Sequence, residues 1–246
     1  MDRHLLVTGQ GRAGSTLFYS MLQHTLQGFF MPDGEVSAAG LLGEPGNTCS
    51  KRPFDIFYVN EIMKVAPRFK KVDLILTLRD PRDILTSVHK RVPDDYFCAA
   101  DHCYGVPKDG KPVRNMPGLL PIHYAMVDVM QSGHFPQGVF ILKYEDLVAD
   151  PDAVQAMLAE AFDLSFRGSF QEFYTREVKD ENAAAMNGLR PLDPSRLQKW
   201  RRPEHRDRII DQFTQFPELF DVVTGLGYEP DNSWYDAFLG GSRITA

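Results

Sequence analysis

Three short apolar runs stand out along the chain: His4–Thr8, Val72–Leu78 (VDLILTL) and Gly138–Lys143 (GVFILK). Each is followed by residues at helical spacing. Leu17, Met21, Leu22 and Leu26 follow the first, Pro81 opens ILTSVHKR after the second, and an Asp-Pro step leads into Asp152–Phe162 (DAVQAMLAEAF) after the third. Near-continuous apolar strands alternating with helices are buried on both faces, which predicts an α/β fold: a three-layer parallel sheet with helices on both faces and right-handed crossovers. Ligands of such sheets sit at the carboxyl ends of the strands. From Arg196 onward the pattern predicts amphipathic helices, closing with Trp234, Tyr235 and Phe238 docked on the core.

Between these elements, residues 28–60 scatter Gly and Pro without a period, and residues 92–121 carry five prolines. The second stretch is too long for a passive connection, which fits a lid or acceptor-binding loop; a surface excursion accounts for it as well. There is no repeat, so 246 residues with 43% apolar side chains read as one domain, 1–246, with insertions. Lys and Arg number 27 against 33 Asp and Glu, a net charge of −6. Any basic residues that hold an anion must therefore cluster locally, and a nucleic-acid partner is not expected. Cys49, Cys98 and Cys103 make no disulfide framework, no apolar run approaches a membrane span, and the first residues are too polar for a secretory leader. A cytoplasmic location without membrane contact is expected.

Candidate chemistry begins where the first strand ends. Gly9-Gln10-Gly11-Arg12-Ala13-Gly14-Ser15-Thr16 fits the phosphate-loop pattern G-x-x-x-x-G-K-[ST] except that the lysine is missing. Converging backbone N–H groups and a following helix N-terminus hold a phosphate or sulfate without it. Arg12 supplies a cation inside the loop, and Ser15 and Thr16 bring hydroxyls. At the end of the second strand, LTLRDPRDILTSVHKR (residues 76–91) presents Arg79, then Asp80 as a helix cap, Pro81 in the first turn, and Ser87 eight residues after Arg79. An Arg with a Ser hydroxyl suits one phosphate, because guanidinium binds bidentately. A surface pair of Arg79 with Asp83 is the plainer account. The stretch FILKYEDLVADPDAV (residues 140–154) reads as strand, turn and helix, and says little by itself.

Together these stretches resemble the sulfotransferases that use 3′-phosphoadenosine 5′-phosphosulfate (PAPS). The family's first motif, x-P-[KR]-S-G-[ST]-T-x-[LW], is similar to Gln10-Gly11-Arg12-Ala13-Gly14-Ser15-Thr16-Leu17 and puts the loop cation at Arg12. The resemblance implies that Gly11–Thr16 hold the 5′-phosphosulfate and that Arg12 neutralises the oxygens around the transferring group. It assigns Arg79 and Ser87 to the 3′-phosphate, places Tyr144 of YEDL near the nucleotide, and, more weakly, matches Lys199-Trp200-Arg201 to a late stretch that completes the 3′-phosphate pocket. It also implies in-line sulfuryl transfer to a hydroxyl or amine, stabilised by position and charge, with PAPS as donor and no metal.

The chain departs from the family's pattern at several points. Gly11 stands where Pro is common and Ala13 where Ser is usual, and no K-x-H-x-P segment with a catalytic histidine occurs between Gly46 and Val72. The base must come from elsewhere, and relatives that use a glutamate point to Glu35, in Asp33-Gly34-Glu35, with Glu44, in Gly43-Glu44-Pro45, as competitor and His102 or His123 next. A small-molecule acceptor is the leading class; a protein tyrosine or a carbohydrate is the alternative. A P-loop nucleotide kinase would need a lysine after Gly14 and a strand-end aspartate for magnesium, where this chain has Arg79. A non-catalytic nucleotide-binding protein would keep the pocket without turnover. Cys98, His102 and Cys103 fit no common zinc spacing.

Overall fold

The computed structural model describes residues 1–92, 95–107, 109–175 and 191–240. In chain order its elements are β1 (Asp2–Gly9), α1 (Ser15–Thr25), β2 (Phe29–Phe30), β3 (Asn47–Lys51), α2 (Val59–Val65), β4 (Lys70–Leu78), α3 (Pro81–Leu85), β5 (His102–Gly105), β6 (Val113–Pro117), α4 (Leu119–Gln131), β7 (Phe140–Lys143), α5 (Tyr144–Ala149), α6 (Pro151–Phe162), α7 (Arg206–Gln215), α8 (Glu218–Gly225) and α9 (Ser233–Gly240). The chain divides into two compact units, one of Met1–Arg79 with Tyr124–Leu197, the other of Asp80–His123 with Gln198–Ala246.

The first unit is built on a five-stranded parallel sheet in the order β2-β3-β1-β4-β7. The three apolar runs of the sequence are β1, β4 and β7, and the first two lie at the sheet's centre. Leu5, Leu6, Val7, Leu74, Ile75 and Leu76 are buried, which is why their stretches are apolar without alternation. Phe18, Met21 and Leu22 of α1, Leu158 of α6 and Phe170 join Leu5, Val7 and Ile75 in one core.

The irregular-looking residues 28–60 contain a strand that hydrophobicity does not reveal. β3 reads Asn-Thr-Cys-Ser-Lys, yet Thr48, Cys49, Ser50 and Lys51 are all buried beside β1. The reason lies on the neighbouring strand. His4, fully buried, uses both ring nitrogens, Nδ1 2.7 Å from Thr48 Oγ1 and Nε2 3.0 Å from Ser50 Oγ. Buried polar groups are tolerated once hydrogen-bonded, so this strand is stabilised by partners far away in sequence.

The second unit has its own core, in which Ile84, Leu85, Leu119, Trp200, Ile209, Phe213, Val222 and Trp234 are buried. Asp80 caps α3 by accepting from the Arg82 N–H at 2.9 Å, as the Asp-Pro signature predicts. Arg82 is buried between the Trp200 and Trp234 rings, 3.9 and 4.5 Å from their centroids, and pairs with Asp80 at 2.8 Å and Glu229 at 2.6 Å. Asp83 accepts the N–H groups of Gln198 and Trp200 at 3.0 and 3.1 Å. The Trp234, Tyr235 and Phe238 side chains dock on this core, as expected.

Residues 92–121 hold an antiparallel pair, β5 with β6, whose register shifts between Cys103 and Tyr104. Such short strands of mixed polarity leave no period to read. The three cysteines build no framework, yet two of them pair: Cys98 and Cys103 form a disulfide. Cys49 is a buried free thiol. The Ala99, Ala100 and Asp101 carbonyls of the bridged loop accept the N–H groups of Leu119, Leu120 and Gly118, at the start of α4. No helix among the described residues is long and apolar enough to cross a membrane.

Candidate anion-binding site

At the carboxyl end of β1, Gly9 has φ +123°, and a Cβ there would lie 2.7 Å from the Thr77 carbonyl oxygen of β4. The chain leaves the sheet through Gln10, which is buried and accepts the Arg79 N–H on Oε1 at 2.8 Å, tying the loop to the end of β4. Arg12 has φ +65° and Gly14 φ +78°, and this left-handed geometry turns the loop into α1. The first-turn N–H groups of a helix have no partner within it, so Ser15 and Thr16 begin α1 beside unpaired donors and the positive end of the helix dipole.

Three cations gather in the first unit around this loop. Arg12 lies within it; the surrounding protein, and then the Arg79 guanidinium, hold its pKa below the ordinary value, while Tyr144 acts in the opposite direction. Arg79, at the end of β4, donates from Nη1 to the Arg12 carbonyl and from Nη2 to the Arg196 carbonyl, each at 3.3 Å. Its guanidinium lies 4.5 Å from the centroid of the Tyr144 ring. Tyr144 opens α5 directly after β7 and packs against Gly14. Asp83, considered above as a partner for Arg79, accepts backbone N–H groups within the second unit.

The third cation is one the sequence reading did not single out. Lys51 ends β3, is 3% exposed, and donates from Nζ to Thr16 Oγ1 at 3.2 Å and to Glu35 Oε1 at 2.8 Å. The loop of Glu35 is fastened at both ends. Tyr19 Oη of α1 donates to the Pro32 carbonyl at 2.9 Å, and the Ala38 N–H donates to Asp55 Oδ2 at 2.8 Å. A lysine on a neighbouring strand thus reaches the first turn of α1. A lysine closing a run of small polar residues, two positions before Pro53, was its sole signal.

Glu44 is exposed, and its backbone carbonyl accepts Lys70 Nζ. Ser87, Lys199, Trp200 and Arg201 belong to the second unit. Ser87 Oγ is buried without a hydrogen-bond partner among the described residues. Trp200 is fully buried, with Arg82 and Arg201 on its ring at 3.9 and 4.3 Å. In the same unit, His102 Nδ1 lies 2.7 Å from Asp101 Oδ1, and burial lowers the His123 pKa. Among the described residues, no group of three or more His, Cys, Asp or Glu side chains could hold a metal ion.

This architecture has solved counterparts. The sulfotransferase domain from the Synechococcus PCC 7002 olefin synthase is similar over 88% of this chain and 94% of its own, with a TM-score of 0.53 at 15% identity. The fold is that of a sulfotransferase domain. A sulfotransferase domain from the curacin biosynthetic pathway is 13% identical over 85% of this chain and 96% of its own, with a TM-score of 0.49. No family model and no curated protein sequence matches the chain. Within the sulfotransferase fold, the Gly-rich loop, Arg79, Tyr144 and Lys51 all stand at carboxyl ends of parallel strands, where the sheet places its ligands.

Proposed function

We propose that this chain is a sulfotransferase that moves a sulfuryl group from PAPS to a hydroxyl or amine of a small-molecule acceptor. The observation that carries the reading is the convergence of Arg12, Arg79 and buried Lys51 on a Gly-rich strand-to-helix loop, where Lys51 is paired with the Glu35 carboxylate. A local excess of fixed positive charge in a chain of net charge −6 calls for a polyanionic ligand. The loop fits a phosphosulfate: a Cβ on Gly11 would meet nothing within 4 Å, and unpaired helix-start N–H groups follow.

The donor supplies the sulfuryl group and departs as adenosine 3′,5′-bisphosphate. The chain's own residues do the remaining work. Arg12 and Lys51 hold positive charge beside the loop, where it stabilises the oxygen that gains charge as the sulfur–oxygen bond breaks. Arg79 takes a phosphate through its planar fork while its face rests on Tyr144. Glu35, at the edge of the cluster, receives the acceptor's proton as the new bond to sulfur forms. The test is calorimetric titration with adenosine 3′,5′-bisphosphate in the absence of magnesium, followed by a screen of acceptors for PAPS-dependent mass gain. Binding of magnesium–ATP in place of the bisphosphate would overturn the reading in favour of a kinase.

A further inference from the structure

The ion pair between Lys51 and Glu35 is lopsided: the lysine side chain is 3% exposed and the carboxylate 53%. A buried ammonium needs an anion near it, since its desolvation is costly, whereas a half-exposed carboxylate returns to water easily. Lys51 also touches Thr16, the second residue of α1, so the ammonium stands at the helix start that holds the ligand in the reading above. On that reading, we propose that Lys51 exchanges partners. Glu35 holds it in the absence of donor, and the donor's sulfuryl oxygens hold it afterwards, so donor binding releases the Glu35 carboxylate to act as base.

Several features favour the exchange. A polyanion at the loop is attracted by Arg12 and Arg79 as well as Lys51, an advantage that a lone carboxylate cannot match. Glu35 need not travel when released, because Tyr19 on Pro32 and Asp55 on Ala38 fix the loop on either side of it. Glu35 Oε1 accepts from Lys51 in this state, and release of the ammonium frees that oxygen to accept the acceptor's proton. The consequence is order: the acceptor's proton is drawn only after the donor is in place.

The experiment titrates wild type, Glu35→Gln, Lys51→Met, the double variant and Glu44→Gln with inorganic pyrophosphate, a probe for the phosphosulfate, and with adenosine 3′,5′-bisphosphate. Removing the competitor in Glu35→Gln should tighten pyrophosphate roughly two- to tenfold. The gain should vanish in the Lys51→Met background, and Glu44→Gln should show none. Equal or weaker binding by Glu35→Gln overturns the exchange, as does a gain that survives without Lys51 or appears equally in Glu44→Gln. Failure of pyrophosphate to bind any variant overturns it too. If pyrophosphate behaves as expected and the bisphosphate does not bind, the exchange stands and the PAPS reading falls. If the bisphosphate binds and Glu35→Gln tightens nothing, the reverse holds. Should Lys51→Met fail to fold, Glu35→Gln against Glu44→Gln decides.

Discussion

A Cβ placed on Gly14 would lie 2.4 Å from Cδ2 of Tyr144, so the loop after β1 and the first residue of α5 are in direct register. Gly14 also has φ +78°, which L side chains adopt at a cost of about 1–2 kcal/mol. Gly14→Ala therefore meets strain and overlap together, and should lower both the melting temperature and anion affinity. Tyr144→Ala in the same chain removes the overlap alone. The double variant should be more stable than the sum of the single losses, a coupling that a double-mutant cycle by thermal denaturation reads directly.

Arg79 and Arg12 should separate by what they change. Arg79→Ala removes a charge-assisted contact and should weaken adenosine 3′,5′-bisphosphate by roughly 1.5–3 kcal/mol, with reduced preference over adenosine 5′-phosphate. Arg79→Lys should restore little, because an ammonium supplies neither the fork nor the flat face that rests on Tyr144. Arg12→Ala should reduce turnover more than binding, since its charge counts most as the leaving group develops. Titration and single-turnover rates on one set of variants check both; identical behaviour of the two would refute the division of roles.

Two glutamates compete for the base, and their surroundings differ. Glu35 Oε1 is 2.8 Å from Lys51 Nζ, whereas Glu44 contributes a backbone carbonyl to Lys70. Glu35→Gln should cost ~100- to 10,000-fold in turnover without loss of nucleotide affinity, and Glu44→Gln should leave the rate unchanged. A rate loss in Glu44→Gln alone would move the base.

His4 makes stability depend on pH. Burial, and then the charge of Lys70, lower its pKa from 6.5 to about 4. Between these values the unfolded chain binds a proton that the native state does not, so stability falls as pH drops from 6.5 to 4 and this group contributes no further change below that. The full loss is roughly 3 kcal/mol. Urea midpoints measured across this window should show the slope, and His4→Gln should flatten it while lowering stability at pH 7.

The Cys98–Cys103 bridge closes a loop of sequence separation 5 whose carbonyls cap α4. Reduction should destabilise the second unit by roughly 2 kcal/mol through the added freedom of the unfolded chain. Thiol titration in denaturant without reductant should count one thiol, from Cys49. Three would show the bridge unformed. Because disulfides are rare in cytosolic proteins, this count also bears on the cytoplasmic location expected from the sequence.

Some of the protein was legible from the chain alone. The apolar runs announce β1, β4 and β7, because a strand covered on both faces must be apolar unless its polar groups find partners. The Gly-rich loop and the Asp80 cap are local features set by residues next to them in sequence, whereas the contacts of Arg79 with Tyr144, Arg12 and Arg196 are not. β3, the Glu35–Lys51 pair and the disulfide are decided only by the tertiary structure. Thr48 and Ser50 are buried because His4 bonds them, and Lys51 because Thr16 and Glu35 meet it; none of these contacts has a sequence period. Glu35 and Glu44 are both loop acids near a Gly, and it is the parallel pairing of β3 with β1 that brings a buried lysine to the carboxylate of Glu35.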